Sequence, residues 1–435
     1  MPKSQYIDPK EMRKAGEITF TPIPVNQYKK SVKDELKSKN FTKEDLKRIY
    51  RDMVVIREFE TMLQLVKTTG GYNGVEYNNP GPAHLSAGQE AAAVGMAYML
   101  NINDFIFGSH RSHGEILAKG LRAIELLDDQ TLEKIMNEFW DGATVNVAKK
   151  AFKGGSVKDL GIRFLLYGAL AEIFARTTGF NKGLGGSMHT FFTPFGIYPN
   201  NAIVGGSGSI AVGAALYKKV NRKPGIVVAN LGDASMARGP VWEGMTFAAM
   251  DQFKQLWEGD MKGGLPVIIN IMDNQYGMGG QTRGETMGFD FAARIGAGVN
   301  PEQMHAERVD GYNPLAVIDA YRRKKKILEE EKSGPVLIDV LTYRYSGHSP
   351  SDASSYRTKE EIEAWEAQDC IVAFGKELID AGVASQADLD AITKEIKDIM
   401  FDTFKLAIDD ELSPRMDLHK DPELLGTMMF SNQSI

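Results

Sequence analysis

Two turns in the sequence end apolar runs with residues suited to holding a hard cation. Residues 226–231 (IVVANL) run into Gly232-Asp233-Ala234-Ser235, and residues 266–272 (PVIINIM) into Asp273-Asn274-Gln275-Tyr276-Gly277. Short apolar runs bounded by turn residues read as buried strands. In an open α/β sheet, ligands sit outside the carboxyl ends of the strands, so the two turns are expected to converge although they are far apart in the chain. A carboxylate and an amide oxygen at one point suit Mg²⁺, which takes oxygen ligands and completes its shell with water and substrate phosphates. Gly232 lets the backbone approach such a phosphate. Taken singly, Asp233 also suits a helix N-cap and Asn274 a turn. Found together, each behind an apolar strand, they point to a metal–diphosphate site.

Imidazoles and a guanidinium supply the remaining chemistry. Of seven histidines, His84, His110, His113 and His348 lie in loops bearing Gly, Ser or Pro, where functional residues concentrate. Each alone also suits a satisfied structural histidine. The GHSPSD loop turns His348 toward a role as an acid or base near neutrality. Arg111, between His110 and His113, has the fork of donors that matches phosphate oxygens. His189 reads as an organiser of its loop, and His305 and His419 as structural. Cys370 has no nucleophile context.

The elements that must position these groups follow from periodicity. Residues 42–67 repeat apolar positions at three and four, as a helix does. Residues 86–100 read as a helix with Ser86 as N-cap and Gln89 in the capping-box position, followed by a loop over 101–114. Helices are expected over 240–257, 314–331, 359–383 and 386–409, and a third strand over 336–342. Strand, helix, strand, helix, strand marks a doubly wound parallel α/β sheet. The expected organisation is an arm over 1–41, an α/β domain with terminal helices over 42–410, and a tail over 411–435. Glycines number 44 and cluster as GLGG (183–186), GGSGSIAVG (205–213) and GMGG (277–280), the density of backbone that turns sharply or approaches a ligand.

Composition narrows the class. At 435 residues, 43% hydrophobic and 25% charged, the chain is of ordinary globular type. A formal net charge of −6 argues against a broad nucleic-acid footprint. One cysteine excludes an intrachain disulfide framework. No apolar stretch reaches the length of a membrane helix, and residues 1–19 have no apolar signal core. A cytoplasmic enzyme is the expected class.

The motifs resemble a known family. GPAHLSAGQEAAAVG (81–95), HRSHGEILAKG (110–120), GLGGSMH (183–189), NAIVGG (201–206), NQYGMG (274–279), TYRYSGHSPSD (342–352) and YRTKEEIEAW (356–365) occur in this order in the alpha chain of the 2-oxo acid dehydrogenases, the decarboxylating first component of the pyruvate, branched-chain and acetoin complexes. The resemblance spans residues 42–410. It implies thiamine diphosphate and Mg²⁺ as cofactors, with Asp233, Asn274 and the carbonyl of Tyr276 as metal ligands. His110 and Arg111 would grip the diphosphate, with Gly232 and the amides of Ala234 and Ser235. Val204 would give backbone contacts to the aminopyrimidine. His348 would handle the bound intermediate, with His84 and His113 near the reacting centre. In two-chain members the carboxylate against the aminopyrimidine belongs to a beta chain. The implied partners are therefore that beta chain (α₂β₂ or a fused equivalent), a lipoyl-bearing acyltransferase and a small 2-oxo acid, with no nucleic acid and no membrane.

Three positions depart from the family pattern: Ala234 stands where it has a third-position Gly, Asp273 where it has a first Asn, and His110 where it has Tyr. Residues 254–264 (KQLWEGDMKGG) add length expected to form a surface excursion. NQYGMG leans toward the pyruvate type, and the SSYR and EAW segments toward the branched-chain type. An acetoin dehydrogenase or a non-catalytic alpha-like scaffold also remains open. A nucleotide enzyme using GGSGSIAVG lacks the strand that its motif requires.

Overall fold

The computed structural model describes residues 6–428. Its centre is a five-stranded, wholly parallel sheet. The strands are β1 (Phe105–Phe107), β2 (Val227–Gly232), β3 (Val267–Asp273), β4 (Glu307–Asp310) and β5 (Val336–Leu341), in spatial order β1-β2-β3-β5-β4. The expected doubly wound α/β class is what forms.

Parallel sheets are buried on both faces, which is why their strands read as nearly unbroken apolar runs. Val228, Ile268, Met272, Ile338 and Val340 face one core; Val227, Ala229, Leu231, Ile269 and Ile271 face another. The first core packs against helices Lys43–Thr69, Glu90–Tyr98, His113–Leu126 and Pro314–Glu329, the second against Gly206–Val220 and Gly239–Ala248. Asn230 and Asn270 lie side by side in the ladder, and Asn270 Nδ2 donates to Asn230 Oδ1 at 2.8 Å, pairing one amide group of each.

Several elements differ from the sequence reading, each for a local reason. The helix expected over 86–100 begins at Glu90, and Ser86 is not its cap. The Ser86 hydroxyl instead donates to Glu60 and accepts the amide of Gly114. The 101–114 loop contains β1, a three-residue edge strand. β4 was hidden by its charge: Glu307 pairs with Arg323, and Arg308 with Asp273 and Asp339. The helix expected over 359–383 is two helices, Lys359–Glu366 and Cys370–Asp380, broken where Asp369 caps the second and pairs with Arg57. The 254–264 insertion does lie largely at the surface.

The N-terminal arm carries short helices Pro9–Met12 and Val32–Lys37 and lies beside β4, exchanging backbone bonds with Arg308 through Pro24 and Asn26. Part of the expected tail is tied down: Thr177 N donates to Pro414 O, and Met416 N to Ala175 O. Residues 429–435 of that tail fall outside the described residues. No helix among the described residues is long and apolar enough to cross a membrane.

Candidate functional site

The carboxyl ends of β1, β2, β3 and β5 open into one cavity of about 320 Å³. Gly232, Asp233, Ala234 and Ser235 enter from β2, Asn274 and Tyr276 from β3, His110 and Arg111 from β1, and His348 from beyond β5. His84 and Val204 line it from loops. Eleven of the twelve residues singled out from sequence therefore meet at one place. His113 is the exception.

Each turn has a local cause. After β2 the chain closes into a short 3₁₀ turn, Asp233–Ala237, with Ser235 Oγ donating to Gly232 O at 2.5 Å. Ala234 holds no left-handed backbone angle, so alanine occupies the family's glycine position without strain. A Cβ on Gly232 would point into open space at the cavity wall. After β3, Asp273 Oδ1 accepts from Gln275 N and Asn274 Oδ1 from Tyr276 N, at 3.2 and 3.3 Å, and Gln275 takes φ +67°. Side-chain acceptors two residues back define such a turn and leave backbone carbonyls turned aside.

Asp233 is 1% exposed. Thr282 Oγ1 donates to it, and among the described residues no cation pairs with it. Burial, with the nearby Asp273 carboxylate, holds its carboxyl well above the usual range. Asp273, unlike Asp233, has a cation of its own, because Arg308 Nη1 binds its Oδ2 at 2.8 Å.

Arg111 is buried and holds two loops: Nη1 donates to Leu85 O and Nη2 to His348 O, both at 2.8 Å. Burial beside Arg344 lowers it to about 9. Three imidazoles cluster near it. Ring centroids lie 4.7 Å apart for His84–His110 and 5.2 Å for His84–His348. Burial, reinforced by Arg111, pushes His84 down to about 3, His110 to about 2 and His348 to about 4. The expectation that His348 titrates near neutrality is corrected: at pH 7 it is neutral, with one ring nitrogen able to donate a hydrogen bond and the other to accept one. Its amide is fixed by Asp352 Oδ2 at 2.7 Å.

His113 sits elsewhere. It is 2% exposed, with Nδ1 3.0 Å from Glu60 and Nε2 2.9 Å from Ser187 Oγ. Glu60 also accepts from Ser86. Both ring nitrogens are used, and the ring buttresses the loops behind the cavity rather than facing it.

A family model described as "Dehydrogenase E1 component" matches residues 51–151 and 157–415. The chain belongs to the dehydrogenase E1 component family. Its curated relatives include the pyruvate dehydrogenase E1 component subunit alpha of Rhizobium meliloti, 30% identical over 382 residues, covering 88% of this chain and 90% of the relative. The type II mitochondrial subunit alpha of Ascaris suum is 30% identical over 400 residues, 92% of this chain and 84% of its own. That of Rickettsia conorii is 29% identical over 359 residues, 82% and 90%. This E1 chain is thus of the alpha type.

Sequence reasoning passed over two groups on the E1 cavity wall. Arg344 lies just past β5, donating to Gly277 O and Tyr356 OH at 2.9 and 2.8 Å. The rule applied to β2 and β3 would have found it, since TYR directly follows VLIDVL. Glu115 lies in the first turn of helix His113–Leu126 and is raised by burial to about 7. One carboxyl beside a histidine pair gave no pattern to find it by.

Proposed function

We propose that this alpha chain binds the diphosphate end of thiamine diphosphate through Mg²⁺ held by Asp233, Asn274 and the Tyr276 carbonyl, and decarboxylates pyruvate only with a beta chain. The acyl group then passes to a lipoyl-bearing acyltransferase. The observation that carries the reading is the meeting of Asp233 and Asn274 at one cavity.

The residues fit the group. Asp233 is a buried carboxyl with no cation of its own, the arrangement a divalent ion would stabilise. Arg344 Nε is buried without a hydrogen-bond partner among the described residues, as a donor reserved for an anion would be. Bound thiamine diphosphate supplies a ring that stores the electron pair left by decarboxylation.

The chain's own residues bind, orient and exclude water. Arg111 fixes the His348 loop against the 83–88 loop, so the imidazole is placed before any ligand arrives. His348 and His84, both neutral, offer proton bonds without competing charge. Val204, 46% exposed at the cavity rim, would give the aminopyrimidine its backbone contacts. Pyruvate is favoured by the names of the three relatives given above, each a pyruvate dehydrogenase E1 component subunit alpha.

Calorimetry with Mg²⁺ and thiamine diphosphate, beta chain present, tests the reading. Asp233→Ala is expected to abolish Mg²⁺-dependent binding while circular dichroism stays native. Unchanged binding removes the metal assignment, and pyruvate decarboxylation by the alpha chain alone removes the two-chain requirement.

A further inference from the structure

The three imidazoles described above are more than a cavity wall. One ring nitrogen from each of His84, His110 and His348 lies within 4.8 Å of the others, the one group of metal-ligating side chains so placed among the described residues. We propose that, in the chain without thiamine diphosphate, they form a three-histidine site for a transition-metal dication of the zinc class, distinct from the oxygen ligands at Asp233 and Asn274.

The donor set selects the ion. Imidazole nitrogens suit Zn²⁺, Co²⁺, Ni²⁺ and Cu²⁺, whereas Mg²⁺ takes oxygen. No carboxylate belongs to the cluster. His84 Nδ1, His110 Nε2 and His348 Nδ1 are each buried with no hydrogen-bond partner among the described residues. Orphaned polar atoms in a protein interior cost stability unless a ligand satisfies them.

Geometry permits closure. Zn–N bonds of about 2.0–2.1 Å put tetrahedral ligand atoms about 3.3 Å apart, so each nitrogen must move inward by less than about 1 Å. Side-chain rotation supplies that without moving the loops. Those loops are already fixed: Arg111 Nη2 holds His348 O, Arg111 N donates to Ser109 Oγ at 3.2 Å, and Asp352 holds the His348 amide. All three rings line the cavity, so a fourth position faces it, open to water or an anionic oxygen as in three-histidine zinc sites.

Charge works in both directions. The Arg111 and Arg344 guanidiniums oppose a dication, while Asp233 and Glu115 on the same wall favour it. An anionic fourth ligand tips the balance. His110, standing where the related pattern has Tyr, supplies the third nitrogen, so the triad is a property of this chain.

The test uses the full-length chain, stripped with chelator and held in excess Mg²⁺ to saturate oxygen sites, then titrated with Co²⁺. One equivalent is expected to develop the intense visible absorption of tetrahedral Co²⁺, bleached by equimolar Zn²⁺. His110→Phe is expected to weaken Co²⁺ binding by about 100-fold or more, since loss of outer hydrogen-bond partners alone costs 10–100-fold at metal sites. His84→Leu should do the same and is read instead if His110→Phe fails to fold by circular dichroism. Asp233→Ala should leave the band intact, which separates this site from the thiamine diphosphate reading. Absence of the band, its survival in the histidine variants, or its loss in Asp233→Ala alone overturns the proposal.

Discussion

Asp233 at the end of β2 and Asp273 at the end of β3 are 1% and 4% exposed, and their surroundings diverge from there. Asp273 shares the guanidinium of Arg308 with Asp339, at 2.8 and 2.7 Å. Asp233 has a hydroxyl, from Thr282, and no paired cation among the described residues. Burying a carboxylate is costly unless a cation accompanies it. The fold supplies that cation on one strand end and withholds it on the next. A strut and a binding site thus differ in whether compensation comes from the chain or from a ligand, and burial alone does not tell them apart.

Removing the built-in cation breaks the contrast most sharply. Arg308→Met leaves Asp273 and Asp339 buried beside each other without a partner. Burial and Asp273 already push Asp339 upward with Arg308 in place, so one of the two must take up a proton. Breaking such a pair from one side is expected to cost about 3–5 kcal/mol, read as a shifted urea midpoint at unchanged slope. A loss below about 1 kcal/mol would mean that Arg308 is not the strut.

Glu115 extends the comparison to a second carboxyl on the cavity wall, again without an ion-paired cation among the described residues. Its ionisation moves from 4.5 to about 7 through burial. Above pH 7 the group is charged in both folded and unfolded chain, and the burial cost is fully present. Between pH 7 and 4.5 the folded chain takes a proton the unfolded chain does not, so the cost fades; below 4.5 it is gone. Glu115→Gln is therefore expected to stabilise the ligand-free chain by about 2–3 kcal/mol at pH 8 and to leave it unchanged at pH 4. Equal effects at both pH values would show that the side chain acts by shape, not charge.

The same contrast marks what could be read from sequence. The strands 226–231, 266–272 and 336–342 were legible because burial on both faces writes unbroken apolar runs, and their turn residues followed. β4 was not, because its compensation is ionic: Glu307 and Arg308 look like surface charge until Arg323, Asp273 and Asp339 are folded against them. The positions of Asp233, Asn274, His84, His110 and His348 at one cavity followed from the strand-end rule and from loop composition. Their electrostatics did not. Whether His348 titrates near 6.5 or near 4 depends on burial and on Arg111, and the guanidinium reaches the 348 loop from more than 230 positions away. His113 shows the reverse case, a loop histidine whose partners, Glu60 and Ser187, are both distant in sequence.

The smallest expected effect belongs to Asp273→Asn, which restores the family's residue. The change removes a charge near Asp233, where Asp273 contributes to the raised ionisation, and so favours an ionised Asp233. It also removes an attraction that any dication at Asp233 would feel. The two effects oppose one another, and Asp273 is already paired with Arg308. Arg308 keeps Asp339 as a partner at 2.7 Å, so no buried cation is orphaned. Stability should therefore shift by less than about 1 kcal/mol, and Mg²⁺-dependent thiamine diphosphate affinity, by calorimetry, should stay within about 3-fold, under the tenfold that 1.4 kcal/mol represents. A tenfold gain would show that the aspartate repels the diphosphate despite its partner; a tenfold loss would place it among the groups that hold the ion. Either outcome would move Asp273 from the strut to the site.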